Sequence, residues 1–219
     1  KTPTEHVLNV LKAGLATAPF LGGIASLMTD YIPSTKEQRL TDFTLQLADG
    51  LALVGDKVDE SKILSEEYAY LFEKCYRGVA ENYQREKLSA FRGILINAAT
   101  EQPVSRDEQE FFLSLVTTLS ALHIRILRFM HSPGTFLADY DIPQQSIQGG
   151  FSQFFPVAVP GVSLPVIESA FGDLYQYGMI NTDKSIFNTM TAGSGLDLLG
   201  NRVSDLGSRF ILFCSEPAA

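Results

Sequence analysis

Cysteine is scarce in this chain of 219 residues: Cys75 and Cys214 lie far apart, and neither belongs to a Cys-x-x-Cys pair. That excludes sulfur-rich zinc clusters and the dithiol redox motif. Both thiols then read as small buried apolar side chains, a pattern that fits a reducing cytoplasm. Histidine is equally sparse, with only His6, His123 and His131. In "LHIRILRFMHSPG" no carboxylate or cysteine stands beside His123 or His131 to complete a ligand set, so neither metal nor cofactor is expected.

Catalytic and phosphate-binding motifs are missing too. Neither Gly-x-Gly-x-x-Gly nor the Walker pattern occurs, and "TAGSGLD" holds Gly193-Ser194-Gly195 without the spacing of a nucleophile elbow. With no catalytic constellation in view, the chain reads as non-enzymatic.

Positive charge is in short supply, with 17 lysines and arginines against 25 acids and a net charge of -8. From His131 onward the only lysines and arginines are Lys184, Arg202 and Arg209, against eight acids. Binding along a nucleic-acid backbone requires neutralising many phosphates, so this balance argues against nucleic acid as a partner.

What is present is the composition of a folded protein, 45% hydrophobic and 19% charged. A run from Ala13 to Thr29 carries no charge. It is slightly short for a membrane span and is interrupted by Pro19, Gly22 and Gly23, which points to two helices or one kinked helix. Gly14, Ala18, Gly22 and Ser26 recur every fourth residue and line one helix face, where a second backbone can approach closely. These four are candidates for helix packing or for membrane contact. The chain opens on Lys1 without methionine, so the native start is expected to have been trimmed or cut.

Periodicity organises the next hundred residues. Leu40, Phe43, Leu47, Leu51 and Val54 predict an amphipathic helix over about 35–58, and Tyr68, Leu71, Phe72, Cys75 and Val79 mark the buried face of the next. Leu88, Phe91, Leu95 and Ile96 mark a third over about 83–99, and Ser105 with Glu108 forms a capping box before "FFLSLVTTL". Residues 1–119 are thus expected to form an N-terminal helical bundle.

From about residue 120 the texture changes. A short helix, "SALHIRILRFM", precedes a glycine- and proline-rich stretch over 132–161 that reads as a long loop and contains "GGFSQFFP". A helix over 164–178 follows. "SIFNTM" and "LDLLGNRV" flanking "TAGSG" read as a β-hairpin, and Ser204 caps a last helix. The expected fold class is mainly α, with the bundle followed by a small α+β winged-helix-like module over 120–219. Its helix over 164–178 carries Glu168 and Asp173 and no lysine or arginine, which favours a protein contact through Phe171, Tyr175 and Tyr177 over DNA reading. Phe151, Phe154 and Phe155 in the long loop are further contact candidates.

"PFLGGIASLMTDYIPS", "EQRLTDF", "SEEYAYLFEKCYRGVAEN", "REKLSAFRGILIN" and "LSALHIRIL" together resemble Abi-alpha (abortive infection alpha), a family of uncharacterised bacterial proteins. The resemblance runs from about Pro19 to "VSDLGSRFILF". It implies a role in phage defence and no catalytic residues. The expected function is therefore a non-enzymatic, cytoplasmic abortive-infection protein that acts through a protein partner or through its own copies. Two alternatives stand beside it: a membrane-active effector that inserts the small-residue helices at 7–31, and a nucleic-acid-binding regulator using the winged-helix-like module.

Overall fold

A computed structural model describes residues 3–16, 34–100, 104–189, 195–199 and 202–217. The chain divides into two compact units, Lys1–Thr118 together with Phe213–Ala219, and Leu119–Leu212.

In the first unit, α1 (Pro3–Ala16) packs on the long α2 (Ser34–Val54), and a single helical turn, α3 (Glu60–Ile63), leads into α4 (Glu66–Glu81). The helices α5 (Arg85–Ala98) and α6 (Arg106–Thr118) complete this part of the unit. On α2, Leu40, Phe43, Leu47 and Leu51 are buried, as their spacing predicts, and the helix stops at Val54 because Gly55 turns the chain with a φ of 57°. Ser65 starts α4 by accepting a hydrogen bond from the Tyr68 amide at 3.2 Å, and Tyr68, Leu71, Phe72, Cys75 and Val79 are all buried. The central element is α5, packed by α2, α4 and α6, in which Ile94, Leu95, Ile96 and Asn97 are buried in succession.

Asn97 is a buried polar group that is fully used. Its Nδ2 donates to the Phe213 carbonyl at 2.8 Å and to the Ser215 carbonyl at 2.9 Å, holding the last residues of the chain on the first unit. Gly93 makes the approach possible, because a Cβ there would lie 2.5 Å from the Cys214 carbonyl. Arg92 and Ser89 reach Glu216 of the same segment at 2.8 Å and 3.0 Å.

The second unit contains α7 (Ala121–His131), α8 (Pro133–Asp139), α9 (Phe151–Ala158), α10 (Leu164–Gln176) and a 3-10 turn over Lys184–Asn188. It also holds all of α11 (Asp205–Phe213) except its last residue. The core is a cluster of phenylalanines. Phe155 stands edge-on to Phe129 and Phe171 at centroid distances of 5.5 Å and 5.8 Å, and Phe151 lies 5.7 Å from Phe187.

Two expectations are corrected here. Among the described residues there is no β-strand, so the α+β winged-helix-like module and its hairpin are not present, and the fold is helical. Among the described residues only isolated bridges occur, Val58 with Thr100 and Ile180 with Val203. Where the first hairpin strand was expected, Asp183 accepts the Ser185 amide at 2.6 Å, starts the 3-10 turn and lets Phe187 enter the phenylalanine cluster. Most of "TAGSG" lies outside the described residues. The nucleic-acid reading loses its scaffold with the module.

The stretch over 132–161 is likewise not a long loop, since it forms α8 and α9. Pro133 occupies the first turn of α8, where its missing amide costs nothing. On α9, Phe151, Phe154, Phe155 and Ala158 follow the helical spacing and are buried, while Gln153 reaches back to accept the Gly150 amide at 3.1 Å.

Candidate functional site

The clearest concave surface of the second unit is built on α10. Ile167, Ala170, Phe171 and Leu174 face inward at helical spacing, and this turns Glu168, Asp173 and Tyr175 towards solvent. The 3-10 turn packs against the same helix. Between the two lies a groove of about 630 Å³ lined by Glu168, Asp173, Tyr175, Asp183 and Lys184, together with small polar side chains. Three carboxylates thus face one ammonium. Side-chain and backbone hydrogen bonds from Ser185 hold the Asp183 carboxyl below the ordinary range. It stays ionised at neutral pH, and the groove is a negative surface with an aromatic edge.

Asp173 also belongs to a hydrogen-bonded row. The Ser120 hydroxyl lies 2.7 Å from His123 Nδ1, and His123 Nε2 lies 3.2 Å from an Asp173 carboxylate oxygen. Serine, histidine and aspartate in line invite a hydrolase reading. The local geometry assigns a different job. The Ser120 amide donates to the same Nδ1 at 3.1 Å, which makes that nitrogen an acceptor and puts the ring proton on Nε2, facing Asp173. This is a helix cap in which histidine takes the place usually held by glutamate. Neither Ser120 nor His123 lines the groove.

The contact candidates read from the sequence separate into two groups. Tyr175 and Tyr177 are exposed at 40% and 41%, with Tyr175 on the groove and Tyr177 at the end of α10. Phe151, Phe154, Phe155 and Phe171 are at most 1% exposed, so a partner cannot reach them without opening the core. Their hydrophobic surface is already used by one another. Of the small-residue stripe, Gly14 falls within α1, whereas Ala18, Gly22 and Ser26 lie outside the described residues.

No family model, curated protein or solved structure matches this chain. The likeness to Abi-alpha accordingly rests on the quoted sequence segments alone.

The remaining histidines make local contacts: His6 Nε2 lies 2.7 Å from Glu60, and His131 Nδ1 lies 2.8 Å from the Ser132 hydroxyl. Among the described residues no three metal-binding side chains converge, and no single helix is long and apolar enough to cross a membrane. Burial raises the pKa of both cysteine thiols, which keeps them protonated and poor nucleophiles.

One buried polar residue escaped the sequence reading. Lys87 is 4% exposed and donates to the Val116 carbonyl and, at 3.1 Å, to the Thr117 carbonyl, closing the C-terminal end of α6. Tyr68 is buried on a face that its spacing marked as apolar. A lysine among the polar positions of a helix carries no sign that its ammonium is destined for another helix end.

Proposed function

We propose that this chain is a non-enzymatic bacterial phage-defence protein of the abortive-infection type. It works in the cytoplasm through protein contacts, and the groove on α10 receives a basic segment of its partner. The observation that carries the contact is the groove's composition: Glu168, Asp173 and Asp183 against Lys184, edged by the exposed Tyr175. Carboxylates pair with lysine or arginine, and a tyrosine face adds attraction to the same cations. The resemblance in sequence supports the abortive-infection role, and the capping role of Ser120 and His123 supports the non-enzymatic reading.

Plaque assays on bacteria expressing the chain, beside Glu168→Lys with Tyr175→Ala, test both parts. The unchanged chain is expected to reduce plaque formation. The double variant should keep its helical content and lose both protection and salt-sensitive binding of an arginine-rich peptide. A chain that never protects refutes the defence role, and a double variant that protects fully refutes the groove.

A further inference from the structure

The first unit carries a second recess, of about 350 Å³, with no part in the reading above. It is bordered by α3, by the first turns of α4 and α6 and by the end of α5, and its lining includes Lys62, Ser65, Tyr68, Leu71, Arg106 and Gln109. Tyr68 is 2% exposed, and its hydroxyl has no hydrogen-bond partner among the described residues. Folded proteins rarely leave such a group orphaned, because it gives up water and receives nothing in return. Burial, with a smaller contribution from Cys75, pushes the phenol's pKa upward, so its proton stays on. It is a donor awaiting an acceptor.

The surroundings supply more donors. Lys62 Nζ gives one proton to the Thr100 carbonyl at 2.7 Å and, among the described residues, retains two. Arg106 is 64% exposed and is paired with Glu67 and Glu110 only at 3.4 Å and 3.5 Å. Such loose exposed pairs exchange readily for a better acceptor. The first turns of α4 and α6 bring the positive ends of two helix dipoles, and Glu67 is the one carboxylate in the lining. Leu71 and Ala98 add an apolar wall.

We infer that this recess binds a small ligand with an oxyanion head, phosphate or carboxylate, which accepts from the Tyr68 hydroxyl, Lys62 and Arg106 while a compact apolar body rests on Leu71 and Ala98. The recess belongs to the first unit, and its residues are separate from those of the acidic groove.

The test is titration of the intact chain with phenyl phosphate and with benzoate, read by calorimetry and by the shift in thermal midpoint, beside Tyr68→Phe and Arg106→Gln. One probe or both should bind saturably, with a Kd below about 1 mM, and whichever binds tighter identifies the head group. Tyr68→Phe removes an unpaired hydroxyl, so without ligand it should be at least as stable as the unchanged chain, yet bind at least about tenfold more weakly. Arg106→Gln should weaken binding while leaving the fold intact. The inference is overturned if neither probe binds, if Tyr68→Phe binds as tightly as the unchanged chain, or if Tyr68→Phe alone lowers stability, which would show that the hydroxyl already has a partner.

Discussion

Replacing Phe155 with alanine empties the middle of the second unit's core. The ring is fully buried and has five aromatic neighbours: Phe129, Phe151, Phe154, Phe171 and Phe187, at centroid distances of 5.5, 5.3, 5.1, 5.8 and 5.3 Å. Truncating a core phenylalanine costs about 3–5 kcal/mol, and the cost is greatest where neighbours cannot collapse into the space. Each of these neighbours is a rigid ring. Edge and stacking contacts are worth about 0.5–1.5 kcal/mol per pair beyond area, but they share one ring and do not add fully, so we expect about 4–5 kcal/mol. Against a domain stability of roughly 5–15 kcal/mol this is a large fraction. The chain has no tryptophan, so far-UV circular dichroism in urea is the suitable probe. With a slope of about 2 kcal/mol per M, the transition of the second unit should move down by about 2 M. Phe111→Ala, at a ring that is 44% exposed, should cost less than about 1 kcal/mol and serves as the reference. If Phe155→Ala costs no more than Phe111→Ala, the ring is not core and the contact reading from the sequence regains its footing.

Lys87→Met strips the donor from the last carbonyls of α6 and should destabilise by about 1–3 kcal/mol in the same urea experiment. Gly93→Ala forces a Cβ to within 2.5 Å of the Cys214 backbone and should lower the melting temperature, at a cost of about 1–3 kcal/mol. Gly172→Ala is the opposite case: its Cβ would meet only Lys184 Cδ, at 3.7 Å, and the helix should gain up to about 1 kcal/mol. Burial lowers the pKa of His131 below the ordinary 6.5, so between the two values the unfolded chain holds a proton that the folded chain lacks. Stability is then complete above pH 6.5 and falls as the pH drops through that window, and His131→Gln should flatten this part of the urea-midpoint profile.

The helices of the first unit were legible because their apolar spacing is clean: Leu40, Phe43, Leu47 and Leu51 need no partner sequence to declare a face. In the second unit the same signal was overridden by punctuation. Phe151, Phe154, Phe155 and Ala158 carry helical spacing, yet Gly149, Gly150 and Pro156 lie among and beside them and read as breakers. A helix of eight residues can tolerate an internal proline when its face is held by a core. The expected first strand failed because a short apolar run such as "SIFNTM" does not distinguish a strand from a 3-10 turn, whereas the Asp183 cap does. Of the functional candidates, Tyr175 was identifiable on an acidic helix. The groove was not, because its other wall comes from a turn whose place is decided by Phe187.

The return of Phe213–Ala219 to the first unit also has a consequence in time. During synthesis, residues up to Thr118 emerge first, and the whole of Leu119–Leu212 must follow before the segment that Asn97 holds is made. At roughly 5–20 residues per second that interval lasts about 5–20 s. Throughout it Asn97 lacks its two acceptors and Gly93 faces no backbone, so the first unit waits, incomplete, on the completion of its neighbour. A premature stop just before Phe213 would therefore damage the unit that was made first.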